Sequence, residues 1–69
     1  MNISELILQK IETDKVFRLE LASKIDLSER QIQNLVDNHR KGKSVRLRDA
    51  LAVDYYKSKG FSKKEIYTN

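Results

Sequence analysis

The apolar residues between Arg18 and Asp37 fall into two runs. Leu21, Ala22 and Ile25 keep the three-and-four spacing of an amphipathic helix, and Ile32, Leu35 and Val36 resume it after the break Ile25-Asp26-Leu27-Ser28. The pattern predicts two short helices joined by a tight turn and sharing one small core. The second of them carries three start signals. Ser28 is a good N-cap, and Gln31, three residues on, completes a capping box. Leu27 and Ile32 have the spacing of a hydrophobic staple. This helix is expected from Glu29 to about Asn38.

The flanking segments read as helices too. A first helix is expected from Ile3 to about Thr13, with Asn2 as N-cap and Glu5 as its capping-box partner. Ile3, Leu6, Ile7 and Ile11 share its apolar face, with Leu8 on the flank. The link Thr13-Asp14-Lys15-Val16 leads into the second helix, expected to begin at Asp14. A fourth helix is expected from Ser44 to Lys59, ending at Gly60 as C′ residue. Leu47, Ala50, Leu51, Val53 and Tyr55 form its core arc. Asp54 falls inside that arc, so it is expected at the rim or bonded to a base or hydroxyl. Val45, Ala52 and Tyr56 make a thinner stripe, a candidate self-association surface. Phe61, Ser62, Glu65 and Ile66 repeat the staple and capping-box signature, predicting a short fifth helix from Ser62 to about Tyr67. Tyr67, Thr68 and Asn69 are expected to fray.

Composition narrows the function classes. Sixty-nine residues allow one domain, 1–69, with a small core. The absence of cysteine excludes a disulfide framework and thiolate metal sites, and a single histidine, His39, makes no zinc site. His39 reads as a cation at a helix C-terminus. No run reaches membrane-spanning length, and the start lacks a signal-peptide layout, so a cytoplasmic protein is expected. The scattered acids Glu12, Asp14 and Glu20 face no nucleophile or metal cluster, so no enzyme activity is expected. Net charge is +4, a modest bias towards an acidic partner. The charge is concentrated in residues 39–48, which hold five Lys or Arg and no acid. Lys57, Lys59, Lys63 and Lys64 form a second basic group, read as solvated.

Arg18, Leu21-Ala22, Ile25, Asp26-Leu27-Ser28 and Ile32 together resemble the helix-turn-helix of the phage lambda repressor and Cro family. The spacing matches, and Ala22 is the small residue where the two helices would cross. Two positions depart: the family's turn glycine is Asp26, and its polar residue ahead of the first helix is Phe17. Asp tolerates a left-handed backbone better than most residues.

The resemblance implies an all-α, five-helix lambda repressor-like domain with its helix-turn-helix at helices 2 and 3. It implies a sequence-specific double-stranded DNA-binding regulator of transcription, of phage or mobile-element type. Ser28, Glu29, Arg30, Gln33 and Asn34 become the groove-facing set. Arg30 suits guanine O6 and N7, while Gln33 or Asn34 suits adenine N6 and N7. Glu29 argues against phosphates unless it accepts from a cytosine amine. Arg18, Arg40, Lys41, Lys43 and Ser44 are the expected phosphate contacts, with Gly42 allowing close approach. No cofactor, metal, small-molecule ligand or membrane is expected. A homodimer is a hypothesis, since one helix reads few base pairs. The rival from another class is a protein-binding adaptor, or a phage structural or packaging accessory, that keeps the fold without reading DNA. Glu29, Asp37 and the modest net charge favour it.

Overall fold

Asp14 ends one helix and begins the next. Its backbone N–H donates to the Lys10 carbonyl, closing helix α1 (Glu5–Thr13), and its carboxylate accepts from Phe17 N at 3.1 Å, opening α2 (Lys15–Lys24). The structure is a computed structural model and describes residues 2–68. It continues with α3 (Glu29–Arg40), a 3-10 turn at Arg46–Arg48, α4 (Ala50–Ser58) and α5 (Lys63–Ile66). No helix among the described residues is long and apolar enough to cross a membrane.

The α3 start follows the sequence signals. Ser28 Oγ accepts from Gln31 N at 3.2 Å, and Gln31 Oε1 accepts from Ser28 N at 2.8 Å. The helix runs to Arg40, about half a turn further than the apolar pattern indicates. It stops in a left-handed step at Gly42, φ 73°, with Lys43 N donating to Asn38 O and Gly42 N to His39 O. That is the Schellman arrangement. A side chain at Gly42 would meet nothing within 4 Å, so within the fold the glycine serves backbone conformation. Gly60, φ 95°, closes α4 in the same way, as its position predicts. Asp26, φ 58°, takes the left-handed turn where the resembling family has glycine.

Both chain ends differ from expectation. Asn2–Ile3 is a short strand, β1, paired antiparallel with Tyr67–Thr68, β2, in the register Asn2↔Thr68 and Ile3↔Tyr67. Ser4, not Asn2, caps α1. Its N–H donates to the Ile66 carbonyl at 2.7 Å, and its hydroxyl donates to the Glu65 carbonyl. Tyr67 and Thr68 therefore pair instead of fraying, and Asn69 lies outside the described residues. Because Ile3 is not part of α1, the helix turns Ile7, Leu8 and Ile11 inwards, and Leu6 is half exposed.

The expected fourth helix is divided. Asp49 adopts an extended backbone, φ −62° and ψ 155°, between the 3-10 turn and α4. Leu47 is buried from the 3-10 turn, while α4 buries Ala52, Val53, Tyr55 and Tyr56. Leu51, Ala50 and Asp54 are exposed, so Asp54 needs no buried partner. Ala52 and Tyr56 are fully buried, which removes the expected self-association stripe and leaves only Val45 of it outside.

One core joins all five helices, from Ile3 to Ile66. Phe17 sits among Tyr55, Tyr56 and Phe61, with ring centroids 5.1, 6.1 and 5.9 Å away. An aromatic residue replaces the family's polar one there because Asp14, three residues earlier, already caps the helix. Tyr56 Oη donates to the Leu47 carbonyl at 2.9 Å, anchoring the 3-10 turn on α4. His39 is buried, and its Nε2 accepts from Ile3 N at 3.1 Å, tying α3 to β1. It is thus a neutral acceptor, not the helix-terminal cation expected. Its Nδ1 has no well-formed hydrogen bond, and burial holds the ring below the ordinary histidine range.

Candidate nucleic-acid interface

The amphipathic pattern of α3 decides which side chains it leaves outside. Ile32, Val36 and His39 are buried and Leu35 is half-buried. Projected at about 100° per residue, Arg30, Gln33, Asn34 and Asp37 lie on the opposite side within a stripe about 100° wide. All four are exposed. None of their side chains has a hydrogen-bond or ion-pair partner among the described residues, so they are free to meet another molecule.

The other two expected base readers are engaged within the fold. Ser28 holds the capping box through its hydroxyl. The Glu29 carboxylate lies 3.6 Å from the Arg18 guanidinium and is only half exposed. Arg18 and Ala22, one turn apart on α2, face inwards together.

Arg18 is the clearest departure among the expected phosphate contacts. It is 9% exposed. Its Nη1 donates to the carbonyls of Ile11 and Glu12, both at 3.0 Å, so it closes the C-terminal end of α1 where orphan carbonyls need donors. Its Nε is buried without a hydrogen-bond partner among the described residues. An arginine held this way does not reach a phosphate.

Arg40 departs as well. It sits in the last turn of α3 and reaches across to α1. Its Nη1 and Nη2 make a fork with the two Glu12 oxygens, both at 2.8 Å, and it also bonds Glu5. The hydrogen bonds from Arg40 hold the Glu12 carboxyl below the usual range, and Glu12 and Glu5 push the Arg40 guanidinium higher still. Sequence spacing gives no sign of this pairing, because the partners are 28 and 35 residues apart.

The side chains of Lys41 and Lys43 are not engaged within the fold by any described residue. Both are exposed and have no ion-pair partner among the described residues. Lys41 is the C-cap residue of α3 with near-helical backbone, so it prolongs the Arg30, Asn34, Asp37 row. Contrary to expectation Ser44 does not begin a helix; its Oγ accepts from Arg46 N at 3.3 Å within an irregular loop. Ser44 therefore offers no helix N-terminus to an anion.

No family model, curated protein or solved structure matches the chain.

In that geometry, two amides and a guanidinium stand side by side on a rigid helix, with two lysines directly beyond its end. Hydrogen-bond donors and acceptors in a row suit the edges of stacked bases. Point charges on a bend suit the adjacent phosphates. Among the described residues, no group of three or more His, Cys, Asp or Glu could hold a metal ion. Asp37, an acid unfavourable beside phosphates, is part of the same free row.

Proposed function

We propose that this protein is a sequence-specific double-stranded DNA-binding regulator whose α3 enters the major groove. The observation that carries the reading is the free row Arg30, Gln33 and Asn34, on the side of α3 away from the core, ending against Lys41 and Lys43. A helix presented in this way by a preceding helix and a tight turn is the docking element of helix-turn-helix proteins, with its N-terminal residues nearest the bases. In this reading the five helices form a lambda repressor-like domain, and the chain acts in the cytoplasm as a small phage-type or mobile-element-type regulator. It works without catalysis, by occupying its site. A two-fold pair of copies would double the short stretch that one α3 spans.

The internal ion pairs support the reading in a second way. Glu29 opens α3 and Glu12 lies on α1 across from its last turn, and either would repel phosphates if left alone. Arg18 stands beside the first and Arg40 forks onto the second. The arginines that the motif places at the phosphates thus act one step behind, moderating the acids that border the reading row.

Binding to mixed-sequence duplex over a salt series tests the proposal. Affinity is expected to fall with a log–log slope of about −0.9 per phosphate contacted. Absence of binding at low salt refutes it and favours the protein-binding adaptor.

A further inference from the structure

Asp37 stands where an acid is unfavourable. It lies in the last turn of α3, close to the negative end of the helix dipole. It is exposed, and no cation pairs with it among the described residues, although Lys41 follows one turn later. No described residue offsets its placement. On the projection of α3 it belongs to the row of Arg30 and Asn34.

We propose that Asp37 is a base-reading residue that selects cytosine, an inference that rests on the duplex-binding reading above. A carboxylate is an acceptor only, so a phosphate is excluded as its partner. In the major groove the donors are the exocyclic amines of cytosine and adenine. The adenine amine adjoins the N7 lone pair, which repels a carboxylate. Cytosine presents its amine without that neighbour. Glu12 lines a cleft of the protein beside Gln33 and Asp37, but Arg40 forks onto it, so Asp37 is the acid of that cleft with no ion pair among the described residues.

The row also sets an order. Arg30 and Asp37 are seven residues apart, about 10 Å along the helix axis, or roughly three base-pair steps of 3.4 Å. Guanine is assigned to Arg30, adenine to Gln33 or Asn34 and cytosine to Asp37, with Lys41 on the phosphate beyond.

Selection of bound duplexes from a randomised pool, run with the wild type and with Asp37→Ala and Asp37→Asn, tests this. The wild type is expected to recover cytosine about three positions from the Arg30-dependent guanine, preferred about tenfold over the other bases. Asp37→Ala should flatten that position alone, and Asp37→Asn should turn it towards adenine. Retention of the cytosine by Asp37→Ala overturns the inference while leaving duplex binding intact. So does a uniform rise in affinity for every sequence, the mark of relieved phosphate repulsion. Recovery of no motif by the wild type overturns both the inference and the reading beneath it. Asp37 is exposed, so both variants are expected to fold, and circular dichroism of each checks this.

Discussion

Arg18 stands 3.6 Å from Glu29, linking the start of α2 to the start of α3 across the turn at Asp26. The same guanidinium donates to two carbonyls at the end of α1. One buried side chain therefore fixes the mutual placement of the three helices that present the reading row. Its contribution is to stability first; in the proposed reading it bears on DNA only through α3.

Replacing Arg18 with Met should accordingly destabilise the fold. Two carbonyls lose their donor and the Glu29 carboxylate its neighbouring cation, a loss of about 2–3 kcal/mol in a largely buried setting. Urea denaturation measures it. Unchanged stability combined with weakened duplex binding would return Arg18 to the phosphate role that its motif position suggests.

Arg40 separates two explanations of the same loss. Arg40→Gln leaves Glu5 and Glu12 uncompensated beside α3, so duplex affinity should fall several-fold. Adding Glu12→Gln should recover much of it, because the repelling charge is then removed. A loss that Glu12→Gln does not rescue would mean that Arg40 touches the backbone of the duplex itself. The exposed Arg40 cluster should matter little for stability.

His39 predicts acid sensitivity in a defined window. Its Nε2 must be unprotonated to accept from Ile3, and burial, aided by repulsion from Arg48, lowers its affinity for a proton against a smaller opposing effect of the Ser44 backbone. The folded value thus lies below the ordinary 6.5. Between the two values the unfolded chain binds more protons, so folding stability is full above pH 6.5 and declines as pH falls below it. Glu12, Asp14 and Glu20 are lowered too, and their contributions are lost only in the carboxylate range. Thermal melts between pH 8 and pH 5 should show the decline, and His39→Gln should flatten it. A melting temperature that does not change across that range would contradict the neutral-acceptor assignment.

The sequence was informative where the determining residues are neighbours. Ser28 and Gln31 cap α3 from three residues apart, and Gly42 and Gly60 mark helix ends by their own backbone freedom. It misled where a helix was carried through a break that no proline or glycine marks. Treating Ile3 as helical rotated the α1 face by enough to bury Leu6 on paper; in the structure Leu8 takes that place. Carrying the fourth helix through Asp49 placed Leu51 in the core and Tyr56 outside, the reverse of what is found. The site shows the same division. Arg30, Gln33 and Asn34 follow from helical periodicity within one element. The roles of Arg18 and Arg40 follow from contacts between elements, which spacing along the chain does not encode.

Backbone amide and side-chain NMR shifts during titration with a short duplex test the central claim most directly, since they report which face is covered. Perturbations are expected at Arg30, Gln33, Asn34, Lys41 and Lys43, with Lys57, Lys63 and Lys64 unaffected. Perturbations confined to those last three lysines, or none at all at low salt, would contradict the account.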